Sequence, residues 1–123
     1  MHELDLYRRR FGRVSIDTIY FGGGTPNVLT NDSFAIILNK INESFDCSSI
    51  RELTMEMNPG PGYIERIPFF KRHGVERVSV GVQSFDPEVL SFYGRNHDVN
   101  DSVQFLDALN HSGINNVSVD IIF

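Results

Sequence analysis

The chain has 123 residues, of which 41% are hydrophobic and 22% charged, a composition typical of one globular domain. Its formal net charge of −5 disfavours a nucleic-acid or anionic-membrane surface. No apolar stretch reaches the roughly 18 residues of a membrane span, and the charged N-terminus lacks a signal-peptide pattern, so a cytoplasmic location is expected. Cys47 is the only cysteine, which excludes an internal disulfide and a CxxC-type metal or cluster site within this chain alone.

The first predicted elements are a charged helix over 1–10 and a strand over 15–21, where β-branched and aromatic residues concentrate. A strand over 51–57, a short helix over 64–73 and a strand over 78–82 come later. Between the first two strands we predict a helix that Thr30 or Asn31 caps. Its buried stripe follows from apolar residues that recur every three or four positions: Phe34, Ile37, Leu38, Ile41 and Phe45.

After the third strand, Asp86 and Pro87 predict the start of a helix that Gly94 ends. A helix over 101–112 and a strand over 117–123 complete the chain. Strands that alternate with helices predict a parallel sheet, and their spacing is close to that of a (β/α) barrel of about 250 residues. The expected fold class is therefore α/β, a partial parallel TIM-like barrel with about four strands, and both ends of the chain are interpreted as cut.

Each of the last three predicted strands has one apolar face and one polar face, because side chains alternate along a strand. An acid or an amide lies towards the C-terminal end of each polar face: Glu56, Gln83 and Asp120. A buried carboxylate without a partner costs several kcal/mol, and the C-terminal ends of barrel strands form the catalytic face. A polar ligand explains these residues better than the alternative, in which they pair with one another or cap loop backbones.

The first predicted strand leads into Gly22-Gly23-Gly24-Thr25. Glycines permit positive φ and the close approach of a ligand, whose phosphate or carboxylate would suit the backbone N–H groups and the threonine hydroxyl. A tight turn is an equal alternative, and the segment is neither GxGxxG nor a P-loop. Arg95 has the reach for a carboxylate, although a solvated arginine is the simpler interpretation. His97 is interpreted as a surface residue that forms hydrogen bonds.

Five segments follow one another in an order that resembles a known family. They are Tyr20-Phe21-Gly22-Gly23-Gly24-Thr25-Pro26, Glu56-Met57-Asn58-Pro59-Gly60, Ser79-Val80-Gly81-Val82-Gln83-Ser84-Phe85, Gly94-Arg95-Asn96-His97 and Val119-Asp120-Ile121-Ile122. Together they resemble the radical S-adenosylmethionine (SAM) family of oxygen-independent coproporphyrinogen III oxidases and the related haem chaperones. The resemblance extends over essentially the whole chain, and three of the segments are more similar to the chaperone branch than to the true oxidases.

The resemblance implies a partial barrel in which a CxxxCxxC loop holds a [4Fe–4S] cluster and the open iron of the cluster binds SAM. No catalytic or metal-binding residue is expected in this chain, because the ligand cysteines would precede Met1. Residues 1–123 would then be part of a radical SAM core domain, with a separate segment as a possible partner that completes the barrel. The SAM-binding positions implied by the resemblance are Gly23, Gly24, Thr25, Glu56, Gln83, Arg95 and Asp120.

The implied function is a SAM-binding segment of a protein of porphyrin or haem metabolism. In the oxidases of this family, a 5′-deoxyadenosyl radical starts the oxidative decarboxylation of propionates to vinyl groups, so the parent protein would be an oxidoreductase with coproporphyrinogen III as its tetrapyrrole. Haem trafficking is the main alternative. Two further alternatives are a nucleotide- or phosphate-binding module and a non-functional remnant of a disrupted gene. The chain alone is expected to be inactive.

Overall fold

The computed structural model describes residues 2–123, and Met1, which the first predicted helix includes, lies outside them. Four strands and five α-helices follow one another in this region. Short 3₁₀ turns at Pro26–Val28 and Ile64–Arg66 precede the second and third helices. The elements in chain order are α1 (His2–Phe11), β1 (Thr18–Phe21), α2 (Asn31–Ser44), β2 (Glu52–Met57), α3 (Ile67–Arg72), β3 (Arg77–Gln83), α4 (Pro87–Phe92), α5 (Val99–His111) and β4 (Asn116–Ile121).

The strands form one sheet in the order β1-β2-β3-β4, and every neighbouring pair is parallel. In register, Met55 of β2 lies opposite Val78 of β3, and Val78 lies opposite Val117 of β4. Helical connections between successive strands produce this parallel arrangement. The predicted α/β class with four parallel strands is confirmed.

The hydrophobic core lies between one face of the sheet and the helices. Met55, Val78 and Val80 on that face are fully buried, as are Phe34 of α2 and Phe105 of α5. The burial of each such side chain contributes about 1.5–3 kcal/mol. Because side chains alternate along each strand, the other face of the sheet carries polar side chains such as Glu56 and Ser79.

Several boundaries differ from those predicted. β1 begins at Thr18 because Ser15 instead forms an isolated bridge with Asp46, in the loop after α2. The helix predicted over 64–73 is divided into a 3₁₀ turn and α3, since Pro68 lacks the N–H that a continuous helix would require. α5 begins two residues early, after the N-cap Asp98, and β4 ends two residues early. No helix within residues 2–123 has the length and apolar character that a membrane crossing requires.

Candidate functional site

An open pocket of about 410 Å³ lies at the C-terminal edge of the sheet. That volume is within the range of small-molecule sites. Its lining residues, most of which are polar, are Gly24, Thr25, Pro26, Glu56, Met57, Asn58, Ser79, Gly81, Gln83, Arg95 and Asp120. All the sequence-predicted site residues except Gly23 therefore line one pocket, and Gly23 is hydrogen-bonded to one of them.

Strand register explains why the polar side chains meet. Glu56 lies opposite Ser79 across β2 and β3, and Ser79 lies opposite Ser118 across β3 and β4. Residues in register share a face of the sheet, and these three share the face opposite Met55 and Val78. Alternation within each strand thus sends Met55 and Val78 to the core and Glu56 and Ser79 to the pocket.

The Glu56 carboxylate is held on both oxygens. The Tyr20 hydroxyl donates to Oε1 at 2.6 Å, and the Gly23 backbone N–H donates to Oε2 at 2.9 Å. The hydrogen bond to Glu56 raises the pKa of the Tyr20 phenol above its ordinary value. Gly22 makes room for this pair, because a Cβ there would lie 2.3 Å from the tyrosine ring. Each carboxylate oxygen retains a further lone pair for a ligand.

Asp120 is oriented by two serines. Ser79 Oγ donates to both carboxylate oxygens, at 3.1 and 3.2 Å, and Ser118 Oγ donates to Ser79 Oγ at 3.0 Å. Ser79 is buried, whereas Asp120 is exposed at the pocket. The serines therefore fix the direction of a carboxylate that stays accessible to a ligand.

Gln83 lies where the pairing of β3 with β4 becomes irregular. It has a φ of 69°, the only positive φ at a non-glycine residue among residues 2–123, and the register shifts between Val80 and Gln83. Such a conformation costs about 1–3 kcal/mol and is concentrated at functional sites. The backbone N–H of Ile122 donates to the Gln83 carbonyl at 2.8 Å, which anchors the irregularity. The bulge brings the Gln83 amide next to Gly81 at the pocket wall.

Arg95 contacts uncharged groups of the protein. Its Nη2 donates to Asn58 Oδ1 at 3.0 Å and to the Gly81 carbonyl at 3.2 Å. None of the ion pairs between the described residues involves Arg95. Its guanidinium is therefore held at the pocket with its charge unneutralised by a protein carboxylate.

Sequence reasoning misplaced one residue and missed others. His97, expected at the surface, is buried, and its Nε2 lies 3.0 Å from the Val82 carbonyl, so it has a structural role. Tyr20, Asn58 and Ser79 were not among the predicted site residues. Asn58 could have been found from the two-residue alternation that starts at Glu56, and Ser79 from its place on the matching polar face of the next strand.

The assembled side chains suit an organic ligand that carries both charges. Glu56 and Asp120 can accept from ammonium or hydroxyl groups, and Arg95 can donate to a carboxylate. Within residues 2–123, no group of three or more His, Cys, Asp or Glu side chains is arranged to hold a metal ion. Cys47 lies in the loop between α2 and β2, and burial raises the pKa of its thiol. The described residues thus suit a ligand that carries both charges, but they do not supply the group of thiolates that holds an iron–sulfur cluster.

Comparisons with known proteins agree on one family. The model of the radical SAM superfamily matches residues 2–123. The chain is 35% identical over 108 residues to "Radical S-adenosyl methionine domain-containing protein 1, mitochondrial" of Danio rerio, covering 88% of this chain and 24% of that protein. It is 36% identical over 106 residues to "Heme chaperone HemW" of Lactococcus lactis, covering 86% and 28%. It is 32% identical over 111 residues to "Oxygen-independent coproporphyrinogen-III oxidase-like protein HemZ" of Bacillus subtilis, covering 89% and 22%.

A solved structure supports the fold. Coproporphyrinogen III oxidase (HemN) from Escherichia coli superimposes with a TM-score of 0.81 at 23% identity, covering 99% of this chain and 31% of that one. This similarity confirms the predicted TIM-like α/β fold. The chain spans about a quarter of the length of the curated relatives described above.

Proposed function

Since the chain belongs to the radical SAM superfamily, we propose that its C-terminal-edge pocket binds the methionine end of SAM. The observation that carries this proposal is the convergence of one guanidinium and two carboxylates in a single pocket. An amino acid group presents a carboxylate and an ammonium a few bonds apart, so it requires both kinds of partner. The pocket supplies them on different strands and loops.

The proposed roles follow from the hydrogen-bonding capacity of each side chain. Arg95 donates to the ligand carboxylate from Nε or from Nη1, because its Nη2 is bonded to the protein. Glu56, which Tyr20 and Gly23 hold, accepts from the ammonium group. Asp120 and Gln83 bind further polar groups of the ligand, and Gly24 and Thr25 allow its close approach.

Proteins of this family use SAM together with a [4Fe–4S] cluster, which supplies the electron that cleaves SAM. Among residues 2–123, no group of three or more His, Cys, Asp or Glu side chains could act as ligands of that cluster, so their proposed contribution is to bind SAM and to orient it. We place residues 1–123 as one part of a radical SAM core domain, in agreement with the share of each relative that they match.

The parent activity belongs, in this proposal, to porphyrin or haem metabolism, with a tetrapyrrole as substrate or cargo. The relatives include both an oxidase-like protein and haem chaperones by name. Oxidative decarboxylation of coproporphyrinogen III and haem delivery are therefore the two candidates. Haem titration of a full-length parent protein and product analysis with coproporphyrinogen III distinguish them.

The test of SAM binding uses the isotope-labelled 123-residue chain in an NMR titration with SAM. We expect weak binding with shifts at the pocket amides. Arg95→Gln should weaken it about 10- to 100-fold, since a hydrogen bond to a charged group contributes about 1.5–3 kcal/mol. Arg72→Gln, on the exposed end of α3, is the matched control. Shifts away from the pocket, or equal affinities for the two variants, would contradict the proposal.

A further inference from the structure

Asn58 joins two loops that have no hydrogen bond to each other. It lies one residue beyond β2, where its Nδ2 donates to Thr25 Oγ1 at 2.9 Å and its Oδ1 accepts from Arg95 Nη2 at 3.0 Å. Thr25 belongs to the glycine loop after β1, and Arg95 follows α4. One amide therefore connects the two sides of the pocket.

The main chain of Asn58 is fixed as firmly as its side chain. The buried Asn27 side chain donates from Nδ2 to the Asn58 carbonyl at 3.0 Å and accepts from the Asn58 N–H at 3.2 Å. The Arg66 guanidinium donates to the carbonyls of Asn27 and Leu29 and lies over the Phe70 ring at 5.0 Å. Asn58 is thus attached to the core through Asn27 and Arg66.

The chemistry of the partners determines which way the Asn58 amide points. Arginine has only donors, so the oxygen of the amide has to face Arg95 and its nitrogen has to face Thr25. Because the Thr25 hydroxyl accepts from that nitrogen, its own hydrogen stays available for a ligand. Arg95 likewise retains Nε and Nη1. Both neighbours of Asn58 are left with donors.

We propose that Asn58 is a positioning residue that aims the Thr25 hydroxyl and the Arg95 guanidinium at one carboxylate, and so selects ligands that carry this group. The inference rests on the proposed function, and it adds the residue that makes the pocket specific for a carboxylate. Asn58 acts through its two neighbours and does not itself have to touch the ligand.

The test compares SAM with decarboxylated SAM, which lacks only the carboxylate. Asn58→Ala should weaken SAM binding by the chain about 10-fold or more in an NMR titration, and change binding of decarboxylated SAM less than about twofold. Asn96→Ala, an exposed asparagine in the loop that contains Arg95, should change neither. An equal loss for both ligands would show a general structural role and overturn the proposal.

A second measurement needs no ligand. In the wild-type chain, the NMR signals of the Arg95 guanidinium should show restricted rotation, because Asn58 and Gly81 hold Nη2. Asn58→Ala should release that rotation, whereas Asn58→Asp, which keeps the size and an acceptor oxygen, should preserve it. Unchanged Arg95 signals in Asn58→Ala would refute positioning. Restricted rotation in a chain that binds neither ligand would refute the proposed function while leaving the contact established.

Discussion

Gly81→Ala tests the packing of the pocket wall with a single added methyl group. Gly81 is not among the glycines with positive φ, so alanine meets no backbone strain there. Its Cβ would, however, lie 2.5 Å from Asn58 Oδ1, 3.0 Å from Gln83 Nε2 and 3.4 Å from Arg95 Nη2. The nearest of these atoms has to move by about 1 Å to reach an ordinary contact distance.

That movement breaks the hydrogen bond between Asn58 and Arg95, which measures 3.0 Å in the native chain. A hydrogen bond to a charged group contributes about 1.5–3 kcal/mol, and water in the open pocket replaces part of it. We expect the free energy of unfolding to fall by about 1–2 kcal/mol and the affinity for SAM to fall about 10-fold.

Urea unfolding followed by circular dichroism measures the first effect, and NMR titration with SAM measures the second. A double-mutant cycle identifies the cause: in a chain that already carries Asn58→Ala, Gly81→Ala should have little further effect on either quantity. Fully additive losses, or a Gly81→Ala chain with native stability and affinity, would refute the reasoning.

Further substitutions test separate parts of the molecule. Asp120→Asn should weaken SAM binding about 10-fold in the same titration, whereas Asp32→Asn, at an exposed position of α2, should not. Equal affinities would count against the role of Asp120. Asp98→Ala removes the N-cap of α5 and should lower the free energy of unfolding by about 0.5–2 kcal/mol without changing SAM affinity. An unchanged urea midpoint would disprove the expected loss of stability. The Tyr20 phenol has a raised pKa, so its hydrogen bond to Glu56 stabilises the fold below the ordinary pKa of tyrosine, and this stabilisation is lost as the pH rises through the raised pKa. Glu56→Gln should lower the midpoint of the Tyr20 titration, followed by ultraviolet absorbance. An unchanged midpoint would exclude Glu56 as the cause of the raised pKa. Anaerobic iron–sulfur reconstitution of the 123-residue chain should yield no stable [4Fe–4S] spectrum, since the chain has a single cysteine; about four irons per chain would overturn this expectation.

The parts of the site that sequence reasoning could locate depend on local periodicity. Glu56 and Asp120 were assigned to the polar face because side chains alternate every two residues in any strand, whatever the strand packs against. The Thr30 cap of α2 is equally local, since the Thr30 hydroxyl accepts from the N–H of Ser33.

The remaining parts depend on contacts between segments that are distant in the sequence. Asn27 and Asn58 are 31 residues apart, and nothing in either segment indicates that their amides meet. The positive φ of Gln83 arises from the changed register with β4. The prediction for His97 was wrong because the loop after α4 folds back on the end of β3, where the ring is buried next to the Val82 carbonyl.

The core-facing and pocket-facing positions of the sheet alternate along the same strands. Met55 and Val78 lie in the core, whereas Glu56 and Ser79, their neighbours along the same strands, line the pocket. Selection for stability and selection for ligand chemistry therefore act on interleaved but separate positions. A strand of six or seven residues holds enough positions for both requirements.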